Sequence, residues 1–159
     1  MNTLAASGLP EHKMLIAKQL ASKVPQRQEA ALTTLRKTLK GAELAQHAGE
    51  MLKMIPDLKG SLEGVLVKAF EKLGPHLTDH IDALVALIDH ADTNTRLAAL
   101  KILAKCEGKA LRDHKEPIAK CLDDSNDSIV AAAFSAMAAF EPAELEPFRN
   151  RIFEARHVS

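Results

Sequence analysis

Apolar residues recur at a spacing of 34 residues along almost the whole chain, inside segments where they return every three or four positions. The clearest columns are Leu20, Met54, Ile88 and Leu122, then Leu32, Leu66, Leu100 and Phe134, then Leu35, Ala69, Leu103 and Met137. A further column holds the small residues Ala30, Gly64, Ala98 and Ala132. The short spacing predicts amphipathic helices. The long period predicts helical repeats that stack, because one repeat is too small to bury its own apolar face.

Glycine and proline mark where these helices begin and end. The predicted helices span residues 10–23, 25–40, 42–55, 58–73, 75–90, 93–106, 110–122, 127–140 and 143–155. Pro25 and Pro75 open helices, since a missing N–H costs nothing in the first turn. Ser125, Asn126 and Asp127 are N-cap candidates for the helix that follows them. No stretch alternates as a β-strand does, so the chain is predicted to be all-α.

The helices pair into units of about 34 residues. We expect a flexible N-terminus at 1–9 and a single domain at 10–155. Its four helix pairs are the units 10–41, 42–74, 75–108 and 109–141, followed by a capping helix at 143–155. The last helix is predicted to close the stack, because the terminal face of a repeat array needs cover.

Two local expectations concern side chains and glycines. In the first helix, the residues expected to face the core are Met14, Leu15, Ile16 and Leu20. Gly60 and Gly64 fall inside the predicted helix 58–73. Gly64 stands in a column that otherwise holds Ala, so we attribute it to close packing between helices.

The second helix of each unit resembles that of HEAT and armadillo repeats. The best example is the stretch 95–103, with a basic residue at Arg96 and the small pair Ala98 and Ala99. The Asp-rich stretch 122–127 resembles the turn inside a HEAT unit. This resemblance implies an all-α, right-handed α-α superhelix, that is, a HEAT/armadillo-like solenoid.

A narrower resemblance concerns TOG domains, which are HEAT arrays that bind tubulin through the turns inside each unit. The stretch 22–32 resembles the opening of a TOG domain, with Val24 standing where that family has an exposed Trp, and the stretch 92–94 resembles its later units. The resemblance implies a tubulin-facing edge near Lys23, Arg27, Lys59, Asn94 and Arg96.

Charge argues against general nucleic-acid binding, which depends on an excess of basic residues. The chain has 21 Lys or Arg and 21 Asp or Glu, so its formal net charge is zero. The two ends differ, however. Residues 1–75 hold 11 basic and 7 acidic side chains, whereas residues 76–159 hold 10 and 14. Such an asymmetry can orient the protein on a charged partner, although variation on a solvated surface explains it equally well.

Candidate catalytic and metal-binding residues are sparse. His76 and His80 are spaced as metal ligands on one helical face would be, but no third ligand accompanies them. Cys106 and Cys121 are interpreted as buried apolar fillers rather than nucleophiles. The acidic stretch 123–127 lacks the Gly and the distal Glu of a calcium loop, so helix capping is the favoured interpretation. We therefore predict no enzyme, no cofactor and no metal.

Targeting signals are likewise not found in the sequence. Residues 1–10 lack the basic and apolar regions of a signal peptide. No apolar run approaches the roughly 20 residues that span a bilayer. Two cysteines without a disulfide framework fit a reducing compartment, so a cytoplasmic protein is predicted, associated with the cytoskeleton if the TOG resemblance holds.

The remaining hypothesis is a scaffold that binds a partner protein along the ridge of turns between the helices of each unit. The predicted partner-binding residues are Lys23, Gln26, Arg27, Lys59, Asn94, Arg96 and Asn126, with Asp127 beside them. For any one of them, a role as a solvated cap or turn is the simpler interpretation. Three alternatives stay open at this point: a TOG-like tubulin-binding domain, a structural subunit of a large assembly, and a helical-repeat enzyme such as a lyase or hydrolase subunit, for which these residues give no support.

Overall fold

The computed structural model describes residues 14–58 and 60–158, and every regular element in these residues is helical. The α-helices are α1 (14–18), α2 (Pro25–Thr38), α3 (Gly41–Leu44), α4 (Ala48–Met54), α5 (Leu62–Leu73), α6 (Ile81–Leu87), α7 (Thr93–Leu103), α8 (Gly108–Leu111), α9 (Lys115–Lys120), α10 (Asp127–Met137), α11 (Pro142–Leu145) and α12 (Arg149–Val158). The all-α prediction is confirmed. The second helix of each pair is unbroken, and these four helices are α2, α5, α7 and α10.

The first helix of a unit is broken where the sequence predicted continuous helices. Four 3-10 turns interrupt or precede these helices, at Ala45–His47, Gly74–His80, Arg112–His114 and Glu146–Phe148. Two prolines explain part of the difference. A continuous helix would place Pro117 and Pro147 in its interior, where the ring clashes with the preceding turn and a hydrogen bond is lost. In the structure Pro117 lies in the first turn of α9, and Pro147 lies within a 3-10 turn.

A histidine stands at three of these breaks. His47, His80 and His114 each precede an α-helical segment, with φ of −100°, −115° and −117° and ψ of 5°, 4° and 19°. These values lie in the sparsely populated bridge region rather than in the helical one. The break therefore recurs with the repeat, including in two units that have no proline at the position of Pro117.

The core consists of the repeat columns. Leu32, Leu66 and Leu100 are completely buried on successive second helices. Within residues 1–73, α2 packs against α5, and within residues 74–159, α7 packs against α10 and α6. Ala98 and Ala99 are also completely buried, and their short side chains permit the close approach of neighbouring helices.

The chain divides into two compact parts, Met1–Leu73 and Gly74–Ser159, called here the N-terminal and C-terminal halves. The division falls beside the predicted boundary between the second and third units. Gly74 has a φ of 54°, in the left-handed region that favours glycine. A single continuous domain over 10–155 stays a prediction.

The last helix docks on the layer before it. Helix α12 contacts the 3-10 turn Cys121–Asp123. Arg112 Nε donates to Glu144 Oε1 at 2.7 Å, and Arg151 donates to Glu116 Oε1 at 2.9 Å. Phe148 is 7% exposed. The C-terminal segment therefore packs against the fourth unit, whereas its role in closing the stack stays a prediction.

Two side chains of α1 do not face the core. Met14 and Leu15 are 62% and 57% exposed, so their predicted inward orientation is wrong, whereas Leu20 is buried as predicted. They belong to the first layer, and the described residues include no earlier layer to cover them. Residues 10–13 of the predicted helix lie outside the described residues.

The two glycines of the predicted helix 58–73 also differ from expectation. Gly60 lies in the turn before α5 with a φ of 59°, so it serves the turn rather than the helix. Gly64 is within α5, but an added Cβ would meet no atom within 4 Å. Close helix packing is therefore the wrong explanation for Gly64.

Gly64→Ala is expected to raise the free energy of unfolding by about 0.5–1 kcal/mol, because alanine fixes the backbone at lower entropic cost inside a helix. Gly108→Ala is the matched control. A Cβ there would overlap the carbonyl oxygen of Ala139 and lie 2.8 Å from its carbon, so it should destabilise by roughly 1–3 kcal/mol. Urea denaturation of both variants measures the two changes, and a loss of stability in Gly64→Ala would contradict the packing described here.

Leu100→Asp tests the assignment of the interlayer column. Leu100 is completely buried and Lys101 is exposed. A carboxylate at 100 removes packing and buries a polar group, so a loss on the order of 3 kcal/mol or more is expected. Lys101→Asp should cost far less. Equal losses in chemical denaturation would show that the helical phase is wrong.

Candidate protein-binding site

The turns inside the third and fourth units are fixed by side-chain caps. Asp92 caps α7 by accepting from the Thr95 N–H at 3.0 Å and from the Thr95 hydroxyl at 2.8 Å. These bonds stabilise the carboxylate and lower the pKa of Asp92. Asn126 caps α10 by accepting from the N–H groups of Ser128 and Ile129, at 2.9 and 3.3 Å. The predicted N-cap of this helix is therefore confirmed as Asn126.

Arg96 connects these two turns. Its guanidinium donates to the carbonyl oxygens of His90 and Ala91 at 3.0 and 3.2 Å. It also lies 3.4 Å from Asp124 Oδ2, and only 19% of its side chain is exposed. The other oxygen of Asp124 accepts from the Asn126 N–H at 2.9 Å. One arginine thus joins the turn of the third unit to the turn of the fourth.

Three grooves lie at the turns between the two helices of a unit, and we call them the turn grooves. They have volumes of about 550, 510 and 590 Å³. Leu20, Ile88 and Leu122 line the first, second and third groove respectively, and all three belong to one 34-residue column. Each groove forms between a turn and the end of the first helix of the next unit. The repeat therefore generates the same kind of groove at the same place.

The first turn groove, in the N-terminal half, carries basic side chains. Lys23 and Lys53 line it together with Glu50. Lys53 Nζ lies 3.2 Å from Glu50 Oε1, an exposed pair that contributes little to stability. Lys23 is exposed. The groove thus presents more positive than negative charge to a partner.

The two turn grooves of the C-terminal half are more acidic. The acidic residues that line the second groove are Asp89, Asp123 and Asp124, and its basic ones are Arg96 and Lys120. The acidic residues that line the third are Asp123, Asp124, Asp127 and Glu154, and its described lining includes no Lys or Arg. Its floor is apolar, with Val130, Ala131 and Phe134 from α10.

The predicted partner-binding residues fall into two groups. Lys23, Gln26, Arg27 and Asn94 are exposed, and Lys59 lies outside the described residues. Arg27 lines a separate shallow groove with Ile16 and Thr34, not the first turn groove. Arg96 and Asn126 hold the turns together, so their polar atoms already have protein partners. A role of these residues in binding stays a prediction.

Sequence reasoning missed the residues that the next unit contributes to each groove. Glu50 and Lys53 line the first turn groove, Lys120 lines the second and Glu154 lines the third. All four lie in first helices. Two of them, Lys120 and Glu154, are 34 residues apart and so occupy equivalent positions in successive units. That spacing was a usable signal, because a stacked repeat brings such positions against the preceding turn.

The structure also places the candidate catalytic and metal-binding residues. His76 and His80 lie in the 3-10 turn Gly74–His80, where four residues advance by more than one full turn and do not share a face. Burial raises the pKa of the Cys106 thiol to about 11, and burial with nearby Asp124 does the same for Cys121, which disfavours the reactive thiolate. Among the described residues, no three His, Cys, Asp or Glu side chains form a group that could hold a metal ion.

Comparison with solved structures identifies the fold. The chain matches a designed armadillo repeat protein in complex with the peptide (KR)4 at a TM-score of 0.52 and 17% identity, over 89% of this chain and 69% of that chain. A second designed armadillo repeat protein matches at a TM-score of 0.52 and 18% identity, with the same coverage. The protein is therefore an all-α repeat protein with an armadillo/HEAT-like fold, which confirms the broader resemblance found in the sequence. At such identities the similarity establishes the fold alone.

The comparisons with sequences give no further assignment. No protein-family model matches the chain, and no curated protein matches it. Among the residues that the structure describes, every helix is too short or too polar to cross a bilayer.

Arg96→Met tests whether Arg96 is a structural link between turns. The substitution keeps most of the aliphatic stem but leaves Asp124 and two carbonyl oxygens without their donor, so a loss of about 2 kcal/mol is expected. Arg27→Met is the control and should change stability by less than about 0.5 kcal/mol, because Arg27 is exposed. Urea denaturation provides the comparison, and equal stability of the two variants would refute the structural role.

Proposed function

We propose that the protein is a non-enzymatic scaffold that binds a partner protein at its inter-helix turns. The observation that carries this proposal is the recurrence of a groove at the same turn position, lined by both polar side chains and apolar floor residues. A repeat array presents such surfaces on a rigid support. Armadillo/HEAT-like folds are typical binding scaffolds, which supports the same conclusion.

The charge of the grooves favours a basic segment as the ligand of the C-terminal half. The third turn groove has four acidic residues in its lining and no described basic one. Complementary charge raises the rate and specificity of association. One structural neighbour is in complex with the basic peptide (KR)4, which supports binding of a basic segment by a fold of this type. The first turn groove, with Lys23 and Lys53, would take an acidic part of the partner.

A TOG-like tubulin-binding domain is the second candidate. It is favoured by the exposure of Lys23 and Arg27 near the first inter-helix turn, and by Val24, which is 43% exposed at the position of the TOG family's Trp. Loss of tubulin from a pull-down on Arg27→Glu, with tubulin retained by the parent protein, would support this candidate. Retention by the variant, or binding that survives high salt, would contradict it.

Site-specific photo-crosslinking tests where a partner binds. A photoreactive residue is placed at one of two inter-helix turns, by replacing Lys23 or Ser125. The controls are turns between units, where it replaces Lys40 or Glu107. All four positions are exposed. Helices of a pair run antiparallel, so the two kinds of turn lie at opposite ends. We expect one partner, identified by mass spectrometry, to crosslink at Lys23 or Ser125 and not at the controls.

The opposite pattern, or equal crosslinking at all four positions, would refute binding at the inter-helix turns. The charge argument has its own control. Asp123→Lys should weaken crosslinking of a basic partner at Ser125 several-fold, because it reverses a charge at the third turn groove. An unchanged yield would contradict the assignment of a basic segment.

A further inference from the structure

In the last layer of the C-terminal half, the described residues form a first helix and no second one. In the second, third and fourth units a broken first helix is followed by an unbroken second helix, namely α5, α7 or α10. Helices α11 and α12 have the arrangement of a first helix, with a 3-10 turn at Glu146–Phe148 between them. In the described residues, which end at 158, no helix follows α12.

Three repeat columns lose cover in this layer. Leu145 is half-buried, while its equivalents at the 34-residue spacing, Leu77 and Leu111, are at most 2% exposed. Ile152 is half-buried, while its equivalents Leu84 and Ile118 are fully buried. Phe134 on α10 is half-buried, while its equivalents are fully buried: Leu32, Leu66 and Leu100. Phe153, next to Ile152, is 61% exposed. We call Phe134, Leu145 and Ile152 the open face.

The earlier units show what covers these columns. The second helix packs on the first helix of its own unit, as α5 does on α3, α7 on α6 and α10 on α9. It also packs on the second helix before it, as α5 does on α2 and α10 on α7. A helix in the equivalent place in the last layer would therefore cover Leu145 and Ile152 on one side and Phe134 on the other.

Charge beside the open face restricts the occupant further. The third turn groove runs between α10 and α12, and Phe134 belongs to its lining. Asp123, Asp127 and Glu154 on its rim are exposed. Asp124 is already paired with Arg96. A helix seated here would be attracted if basic side chains flanked its apolar face.

We propose that the open face binds an amphipathic helix of a partner protein, with small and branched apolar residues on one face and basic residues beside it. Such helix-in-groove binding is a known mode of peptide recognition. The helix completes the last layer in the same way that α10 completes the fourth unit. This inference goes beyond binding at the turns, because Leu145 and Ile152 line no turn groove.

The chain supplies a defined probe for this surface. A synthetic peptide of residues 91–105 contains all of α7, with its Asp92 cap, its apolar face and the basic residues Arg96, Lys101 and Lys105. Titration of this peptide into the isotopically labelled full chain should shift the NMR signals of the Leu145 and Ile152 methyl groups. A saturable effect with a dissociation constant of about 0.1–1 mM is expected, since a free peptide must order on binding.

Variants and a control peptide make the result decisive. Ile152→Asp should abolish the shifts, and Glu154→Lys, an exposed substitution that leaves packing intact, should weaken binding at least about three-fold by repelling the basic peptide. Asn150→Ser, an exposed substitution on the same helix, should bind as the parent does. A scrambled peptide should produce no saturable shifts. Thermal melts of each variant confirm that the protein is folded.

Three results would overturn the proposal. The first is no shift at millimolar peptide, or equal shifts with the scrambled peptide. The second is a shift confined to residues outside the open face. The third is a dimer of the parent protein in sedimentation equilibrium that Ile152→Asp dissociates, because a second copy of the chain would then be the occupant. Crosslinking at Lys23, in the N-terminal half, is independent of all three results, so failure here leaves the proposed function separately testable.

Discussion

Burial of apolar columns between successive layers is the interaction on which the rest of this structure depends. A single pair of short helices cannot remove enough apolar surface from water to offset the entropy of ordering its chain. Stacking solves the problem, because Leu66 or Leu100 is covered by helices of its own layer and of its neighbour. The alanine pair at Ala98 and Ala99 serves the same end, since small side chains bring helix axes close enough for the larger ones to fill the space between them. With almost no aromatic residues, the chain relies on this close approach.

The repeat made most of this architecture predictable from the sequence. The positions and phases of the unbroken helices follow from apolar spacing, because burial fixes which face turns inward. The breaks in the first helices were not predicted. Pro117 and Pro147 were visible signals for two of them, but His47 and His80 have no proline at the corresponding place and therefore gave no such signal. For Gly64 the sequence predicted a feature that the structure does not have. Its column of small residues predicted close contact between helices, yet the space beside it is open.

The candidate site was less predictable, for a physical reason. Polar residues near a turn serve either the turn itself or the solvent-facing surface, and a sequence does not distinguish the two. Asn126 and Arg96 look like surface residues, but their hydrogen bonds satisfy the backbone of α10 and of the turn before α7. Lys53 and Glu154 look like ordinary helix residues, yet stacking brings them against the turn of the preceding unit. The repeat period contained this information, whereas the turn sequences alone did not.

The same stacking rule determines both what is stable and what is available for binding. Within each half, one layer provides the surface that the next layer covers, so apolar columns there are unavailable to a partner. In the last layer, Leu145, Ile152 and Phe134 occupy columns that are buried elsewhere, but the described residues form no further layer to cover them. In the proposal, an apolar face that is continuous with a packed core and lies beside the exposed carboxylates of Asp123 and Asp127 meets two conditions for specific recognition of a helix. Burial supplies the free energy, and charge selects among apolar helices. Under the two proposals, the first turn groove and the open face would bind different segments of a partner without any change in the fold.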